Sequence, residues 1–447
     1  MKTLNPFLII VILLFNVFVT FGQENPLSVI IEKYDASFKE KNQGVSLLIK
    51  KDGQTHTTSI GAHSLNEHSV FNIGSTTKTF TAILLLQEVE KGNLKLTDSI
   101  GTYLEPIANV DGELTIAQLL AHESGLDEVI GRNIQDIFYA KSDSLYQVDL
   151  LGQVEKPNPD MVGKFDYCNT NYFLLGKVIE KLTDQSYFDV LRERIIEPLQ
   201  LENTYAYVHK NLPNLANPMH EGEDVTQFLD HRYFANVAFS AGSVASTLTD
   251  METFFTALFE TELLLKNESL ELMLQSGNEV YGLGIFKPSN ADDNYYGHGG
   301  NNIGYAFRNG YNRETKDLFL MFSNERKIPQ KKVLRTDVLS ILNGEAIADF
   351  TAVNIEKFKN YKGKYLLAEA NLELEVLLED GKMYLYVAAQ NVKSELTQTS
   401  ETTLLDTMVG ASLSLIEGTT NSLTFEQNGF KTTIAKITQE NATSGQE

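Results

Sequence analysis

Apolar positions in the first part of the chain follow helical spacing, interrupted by one pattern that is typical of strands. Residues 28–42 place apolar side chains three and four positions apart and predict an N-terminal helix. Residues 45–49 and the stretch after Lys51-Asp52-Gly53 predict two strands joined by a hairpin turn. Residues 75–89 form an apolar run that is too long for a strand, so they predict a buried helix.

Helical spacing also dominates the middle of the chain, and strand patterns return after Val280. The predicted helices cover four windows, 116–121, 172–182, 187–196 and 251–265. The returning strands contain closely spaced glycines, which let another backbone or a ligand approach. Strands at both ends of a helical insertion predict an α/β (α+β) domain with two lobes over residues 23–345.

A third pattern begins near residue 350, where short strands with strict alternation replace the helices. The clearest case sets apolar residues against glutamates: Leu372, Leu374 and Val376 against Glu373 and Glu375. Asp380-Gly381 and Asn428-Gly429 are typical hairpin turns. The tail therefore predicts a small all-β, barrel-like domain over residues 354–447, after a linker at residues 346–353.

The N-terminal segment has the pattern of a signal peptide. Lys2 supplies a positive start, and residues 7–21 form an apolar run shorter than the ~20 residues of a spanning helix. Thr20 and Gly22 are small residues two apart, which predicts a signal peptide over residues 1–22 and a mature chain from about Gln23. We expect an exported protein, periplasmic or secreted, with membrane contact only during export; an uncleaved anchor is the alternative.

Composition narrows the function classes further. The chain has 447 residues, with 37 Lys and Arg against 59 Asp and Glu, hence a net charge of −22. That balance argues against nucleic-acid binding, which needs clustered basic residues. The single cysteine, Cys168, cannot form an internal disulfide, and its expected role is to fill space. The eight histidines show no metal-site spacing, so neither a metal nor an organic cofactor is expected.

Candidate chemistry begins with Ser75-Thr76-Thr77-Lys78, where the only S-x-x-K of the chain occurs. If a helix starts near Ser75, Lys78 lies one turn further on the same face, and its amine can reach the serine hydroxyl. The helix N-terminus also offers backbone N–H groups to a developing oxyanion. The alternative is an N-cap serine followed by a lysine whose amine reaches solvent.

Two further motifs follow in order. Tyr167 and Asn169 form the only Y-x-N of the chain, with a buried aromatic in a loop as the alternative. His298-Gly299-Gly300 is an H-x-G segment in a strand-like context. His220-Glu221-Gly222 has the same spacing, but we expect it to lie in a loop.

Together these motifs resemble those of the serine β-lactamase-like superfamily, which includes class C β-lactamases, D-Ala-D-Ala carboxypeptidases, D-aminopeptidases and esterases. Residues 119–126 are similar to the family segment L-L-x-H-T-S-G-L, and residues 240–247 to A-G-G-L-x-S-T; both are expected to be structural. The resemblance covers roughly residues 25–345 and implies a β-lactamase/transpeptidase-like domain, in which an antiparallel sheet with flanking helices lies beside a helical lobe. The tail resembles the small β domain of some members.

The resemblance implies Ser75 as the nucleophile, which needs a base. Lys78 and Tyr167 are both candidates, and both stay open at this point. As the base, Tyr167 needs its pKa of about 10 lowered by about three units, which an adjacent lysine cation favours. With either base, Tyr167 is expected to protonate the leaving group and then to help water attack the acyl-enzyme. Asn169 would orient Lys78 or hold a substrate amide.

The resemblance also implies that the third motif, His298-Gly299-Gly300, forms the strand that faces the substrate. By resemblance, the backbone N–H groups of Ser75 and Asn301 form the oxyanion hole, with His298 and Gly300 beside the substrate. Gly299 stands where relatives have a threonine, whose hydroxyl would bind a substrate carboxylate. This lowers the expectation of efficient β-lactam or D-Ala-D-Ala recognition.

The leading hypothesis is an exported serine hydrolase that cleaves an ester or amide bond through an acyl-enzyme on Ser75. The expected partner is a small-molecule or peptide substrate, with cell-wall-derived peptides as one class. The alternatives are a penicillin-interactive carboxypeptidase or β-lactamase, and a non-catalytic protein that binds cell-wall peptides.

Overall fold

The structure is a computed structural model that describes residues 25–40, 42–62, 65–131, 149–230, 232–288, 294–326, 328, 330–347, 349–427 and 430–437. The predicted signal peptide at residues 1–22 and the turn predicted at Asn428-Gly429 lie outside these residues.

Strands at the two ends of the first unit enclose a largely helical middle. The helices are α1 (Ser28–Glu40), α2 (Thr77–Glu90), α3 (Ile116–Leu120), α4 (Asn169–Thr183), α5 (Tyr187–Leu191), α6 (Phe239–Gly242), α7 (Leu248–Glu260), α8 (Asn267–Gln275) and α9 (Lys331–Asn343). The strands are β1 (Gly44–Lys51), β2 (Gln54–Gly61), β3 (Phe71–Asn72), β4 (Met219–His220), β5 (Glu223–Asp224), β6 (Ala245–Ser246), β7 (Tyr295–Tyr296), β8 (Gly300–Asn302), β9 (Tyr305–Asn312) and β10 (Leu318–Ser323).

The main sheet joins residues that are far apart in sequence. Its strand order is β2-β1-β10-β9-β7, with β8 also paired to β9, and the pairs are antiparallel. The hairpin predicted after residue 49 is confirmed, because Lys51 pairs with Gln54 across the turn. Val45 pairs with Ser323, so the first and last strands of the unit lie side by side at the centre of the sheet.

Side chains of β10 alternate between two hydrophobic cores, as the period of a strand requires. Leu320 and Phe322 face the core that surrounds α2. Phe319 and Met321 face the core that α1 and α9 cover on the other side. Helices on both faces therefore fix the sheet, and the two-lobed α/β (α+β) prediction with an antiparallel sheet is confirmed.

The tail folds into a closed eight-stranded barrel, which follows a short helix, α10 (Ile355–Phe358). Its strands are β11 (Gly363–Leu367), β12 (Leu372–Glu379), β13 (Lys382–Val387), β14 (Val392–Gln398), β15 (Thr403–Asp406), β16 (Ala411–Leu415), β17 (Ser422–Gln427) and β18 (Phe430–Lys436). Leu374 and Val376 point into its core, and Asp380-Gly381 forms the predicted turn between β12 and β13. The prediction of a small all-β domain is confirmed.

Some predicted boundaries shift. The helix predicted at 251–265 is α7, which ends at Glu260, because Thr261 adopts an extended backbone. The window 187–196 splits into α5 and a π-helical turn at Arg192–Ile196. His220, expected in a loop, lies in the two-residue strand β4. Among the described residues, no helix is long and apolar enough to cross a membrane.

Candidate active site

Ser75 lies in a 3-10 turn, Gly74–Thr76, that leads directly into α2. Asn72 supports this turn from within the protein: its side-chain oxygen accepts from the backbone N–H of Gly74 at 3.0 Å. Its amide nitrogen donates to the carbonyl of Gly242 at 3.0 Å, and also to the two carbonyls that follow. The buried helix α2 thus presents Ser75 at its N-terminal end, as predicted.

Lys78 is fully buried, and its amine has three close neighbours. Nζ lies 3.0 Å from Ser75 Oγ, 2.6 Å from Asn169 Oδ1 and 2.8 Å from the backbone carbonyl of Ala241. The last two atoms can only accept hydrogen bonds, so they take two N–H groups of the amine. In a neutral amine the lone pair that remains then points at the Ser75 hydroxyl, which is the geometry of a general base.

The electrostatic environment also favours the neutral form of the Lys78 amine. Burial lowers the pKa of Lys78 to about 7, although the nearby Glu128 carboxylate acts in the opposite direction. A substantial fraction of the amine is therefore neutral near neutral pH.

The pKa of Tyr167 shifts in the opposite direction, upward. Burial raises the pKa of Tyr167, a hydrogen bond with Ser75 acts in the opposite direction, and the Glu128 charge raises the pKa further. The phenol stays protonated near neutral pH and can donate a proton. Of the two candidate bases left open by the sequence, this environment favours Lys78.

His122 packs against the segment that contains Tyr167 and Cys168. Its ring lies against the Tyr167 ring, with centroids 4.2 Å apart, and its Nδ1 accepts from the backbone N–H of Cys168 at 3.1 Å. Burial and the Lys78 charge hold the pKa of His122 well below its usual value, so the ring is neutral. Burial raises the pKa of the Cys168 thiol to about 12, which suits the predicted role as a space-filler.

Glu128 is a site residue that sequence reasoning missed. Its carboxylate accepts from the backbone N–H of Asn169 and, at 3.1 Å, from the Asn169 side-chain amide. Its other oxygen accepts from the backbone N–H of Gly131 at 2.7 Å. The carboxylate thereby turns the Asn169 carbonyl oxygen toward Lys78, so Asn169 fixes the position of the Lys78 amine. No motif or spacing marked Glu128 or the Ala241 carbonyl, although residue 241 lies in the predicted structural segment 240–247.

The third motif packs its backbone against the Ser75 turn. A Cβ on Gly300 would lie 1.8 Å from the carbonyl oxygen of Ile73, so only glycine allows strand β8 to approach this closely. Asn301 follows immediately, and its backbone nitrogen lies 2.8 Å from the position of a Cβ on Gly74. The two backbone groups predicted to form the oxyanion hole therefore lie on adjoining segments.

His298 belongs to the same motif, but both nitrogens of its ring are hydrogen-bonded within the protein. Nδ1 lies 2.8 Å from the carbonyl oxygen of Gly299, and Nε2 lies 2.8 Å from the Tyr281 hydroxyl. Burial lowers the pKa of His298 to about 3, so the ring is neutral. Nδ1 accordingly carries the proton and donates to Gly299, while Nε2 accepts from Tyr281. The structure places His298 as a support of the strand, with both ring nitrogens occupied.

The space beside Gly299 is filled by Arg308 of strand β9. A Cβ on Gly299 would lie 2.9 Å from Nη1 of Arg308. The same guanidinium donates to the carbonyls of Phe307 at 2.8 Å and Gly300 at 3.3 Å, and to Asn301 Oδ1 at 3.4 Å. A guanidinium thus stands where the missing threonine side chain would begin.

Several of these groups border one open cleft of about 1880 Å³. Ser75, Tyr167, Asn169, His298 and Asn301 line one part of it, and it continues along α9 to the barrel. The barrel residues at its far end are Thr399, Leu405, Gly410, Ser412, Glu426 and Gln427. Within the described residues, no group of three or more His, Cys, Asp or Glu side chains could hold a metal ion.

Comparisons with known proteins agree with this geometry. Residues 30–342 match the family model described as Beta-lactamase. A penicillin-binding protein of Bacillus subtilis (strain 168) is 26% identical over 374 residues, which are 76% of this chain and 80% of that protein.

Two solved structures share the fold. A D-stereospecific amidohydrolase from Streptomyces sp. matches with a TM-score of 0.59 and 24% identity, over 70% of this chain and 99% of its own. The octameric penicillin-binding protein homologue from Pyrococcus abyssi matches with a TM-score of 0.60 and 21% identity, over 92% of this chain and 99% of its own. Because the family model spans well over half of the sequence, the chain is a serine hydrolase of the beta-lactamase family.

Proposed function

We propose that this protein is an exported hydrolase that cleaves an ester or amide bond through an acyl-enzyme on Ser75. The observation that carries the proposal is the buried Lys78 amine, which lies 3.0 Å from Ser75 Oγ and donates to two carbonyl oxygens. This arrangement leaves the amine lone pair for the serine proton.

The residues divide the acylation step between them. Neutral Lys78 takes the proton of the Ser75 hydroxyl while Oγ attacks the substrate carbonyl carbon. The backbone N–H groups of Ser75 and Asn301 hold the resulting oxyanion. Tyr167, which stays protonated, donates its proton to the leaving group as the bond to the carbonyl carbon breaks. Lys78, now charged, can return a proton to the phenolate and is neutral again.

Deacylation reverses these roles. Water replaces the leaving group and loses a proton to the neutral Lys78 amine as it attacks the acyl carbon, and Ser75 leaves as Lys78 returns that proton to its Oγ. No step calls for a metal or an organic cofactor.

The substrate is proposed to be a small-molecule or peptide ester or amide, with cell-wall-derived peptides as one class. The similarity to a penicillin-binding protein and to a D-stereospecific amidohydrolase supports amide substrates. The pattern of residues 1–22 supports export to the periplasm or beyond the cell.

The test is mass spectrometry of the intact mature protein after treatment with a fluorophosphonate and, separately, with a penicillin. Wild type is compared with Ser75→Ala and with Ser400→Ala, which changes an exposed serine of the barrel. We expect a fluorophosphonate adduct in wild type and Ser400→Ala but none in Ser75→Ala. A folded wild type without an adduct would overturn the proposal, and penicillin labelling would separate peptidase-like from esterase-like activity.

A further inference from the structure

The residues on either side of Tyr167 are both hydrogen-bonded to His122. The backbone N–H of Asp166 donates to the His122 carbonyl oxygen at 2.8 Å, and the backbone N–H of Cys168 donates to His122 Nδ1 at 3.1 Å. His122 lies in the loop that follows α3, more than forty positions earlier in the chain. The segment on each side of Tyr167 is therefore fixed to the same point of that loop.

Among the described residues, the His122 ring is also the closest aromatic neighbour of the Tyr167 ring. The two centroids are 4.2 Å apart, and the planes are tilted by 33°. The rings of Tyr281, Phe286 and His298 lie further from Tyr167, at centroid distances of 6.4, 6.3 and 6.2 Å. Two hydrogen bonds hold the backbone beside Tyr167 and one ring contact holds its side chain, so His122 limits both the position and the rotation of the phenol.

His122 occupies this place although two of its features are unfavourable. Its backbone has a φ of 59°, in the left-handed region, where few residues other than glycine are found. The side chain is fully buried, and because Nδ1 accepts a hydrogen bond, the neutral ring carries its proton on Nε2. Within the described part of the chain, this N–H has no hydrogen-bond partner. Unfavourable features that a fold retains are concentrated at functional sites.

Other contacts fix the shape of the loop that contains His122. The backbone N–H and carbonyl of Glu123 are both hydrogen-bonded, each at 2.8 Å. Ser124 Oγ donates to Asn171 Oδ1 at 2.6 Å and accepts from the backbone N–H of Leu126 at 3.1 Å. These contacts hold the loop on the C-terminal side of position 122, and the imidazole is left to the segment that carries the proton donor.

We propose that His122 is a positioning residue that holds the Tyr167 hydroxyl at the leaving-group atom during acylation. The inference rests on the proposed hydrolytic function, in which the phenol proton passes to the leaving oxygen or nitrogen as its bond to the carbonyl carbon breaks. A donor displaced by about 1 Å transfers its proton much less efficiently. Loss of the imidazole therefore slows substrates whose leaving group needs a proton, and it affects substrates with a good leaving group far less.

The test is kcat/KM, which covers the acylation step, for three butyrate esters: p-nitrophenyl, phenyl and ethyl. Their leaving groups become more basic in that order, so they depend increasingly on the proton donor. His122→Asn removes the ring but keeps an oxygen at the place of Nδ1, and asparagine tolerates the left-handed backbone. We expect a loss of about tenfold for the ethyl ester and of less than about twofold for the p-nitrophenyl ester. An equal loss for all three esters, or no loss, would overturn the proposal.

Two control variants separate positioning of the proton donor from stability of the loop. Ser124→Ala removes a hydrogen bond that holds the same loop, so it should lower the melting temperature without changing the ratio of the ethyl to the p-nitrophenyl rate. His209→Asn changes a histidine outside the cleft with the same two kinds of contact, and it should also leave the ratio unchanged. The His209 ring lies 6.0 Å from the Tyr207 ring, and its Nδ1 accepts from the Asn211 N–H at 3.3 Å. A ratio that falls equally in Ser124→Ala would assign the effect of His122 to stability and overturn the proposal.

The Tyr167→Phe background shows whether the two residues act through the same proton. Without the phenol hydroxyl, adding His122→Asn should lower kcat/KM for the ethyl ester by at most about twofold more. Losses that multiply in the double variant would mean that the two residues act independently, which contradicts the positioning role.

Labelling by a fluorophosphonate keeps this inference apart from the proposed function, because fluoride is a weak base and leaves without a proton donor. His122→Asn should be labelled at Ser75 at a rate within about twofold of wild type. Failure to label a folded wild type counts against the hydrolytic function itself. If wild type is labelled but hydrolyses none of the esters, crystal structures of wild type and His122→Asn replace the assay. We then expect the Tyr167 hydroxyl to move away from Ser75 in the variant, and a phenol that keeps its wild-type position would overturn the proposal.

Discussion

Replacing Glu128 by glutamine should move the acidic limb of the activity profile to lower pH. Glu128 holds Asn169 through two hydrogen bonds, and Asn169 in turn accepts from Lys78 at 2.6 Å. The carboxylate charge raises the pKa of Lys78 against the effect of burial. Lys78 must be neutral to accept the Ser75 proton, so activity rises as the pH passes its pKa. Loss of the charge lowers that pKa, and a larger fraction of the amine is then neutral at pH 6.

The distance between the Glu128 and Lys78 charges determines the size of the expected change in the pKa of Lys78. One side-chain amide separates the Glu128 carboxylate from the Lys78 amine, which corresponds to about 6–8 Å between the charges. At an effective dielectric constant of about 20, unit charges at that separation interact by roughly 2–3 kcal/mol. This energy corresponds to about 1.5–2 pKa units. Glutamine keeps an oxygen that can accept from Asn169, so the geometry of the base is largely retained.

The assay is kcat/KM for a p-nitrophenyl ester between pH 5 and 9. Wild type should show a limb near pH 7, and Glu128→Gln a limb at least about one unit lower. Glu279→Gln is the matched control, because it removes a carboxylate that lines the cleft but makes no hydrogen bond to Asn169 or Lys78. A limb that stays in place or moves upward in a folded Glu128→Gln protein would refute Lys78 as the base, or its coupling to Glu128.

Three other substitutions test the remaining parts of the site. Lys78→Met should reduce kcat/KM about 10²–10⁴-fold with an unchanged circular dichroism spectrum, because general-base catalysis is lost; near-wild-type turnover would contradict its role. Tyr167→Phe should lower kcat about 10²-fold by removing the proton donor, most clearly for amides, whose leaving groups need protonation; equal losses for amides and activated esters would argue against this. Gly300→Ala should destabilise the protein by about 1–3 kcal/mol and abolish labelling of the serine, because its Cβ would clash with the Ile73 carbonyl. In a thermal melt, Gly112→Ala, where the nearest atom lies 3.6 Å from the added Cβ, should change far less.

Elements with strong local signals could be predicted from the sequence. The helix after Ser75 follows from an unbroken apolar run, and the hairpin at Asp380-Gly381 follows from alternation and a turn pair. The i, i+3 spacing of Ser75 and Lys78 likewise brings their functional groups together on any helix, because that spacing is a local property of the backbone. The order of the three motifs along the chain was then the basis for the resemblance to the family.

Contacts between distant segments needed the tertiary structure. Glu128 reaches Asn169 across 41 positions, and Arg308 comes beside Gly299 through strand pairing. A single sequence carries no spacing rule for such contacts, because packing of separate elements decides which side chains meet. The choice between Lys78 and Tyr167 as the base likewise depended on the tertiary structure. The motifs of the sequence alone predicted that Ser75, Lys78 and Tyr167 belong to one site. Only the tertiary fold buries these side chains, and that burial lowers the pKa of Lys78 and raises the pKa of Tyr167.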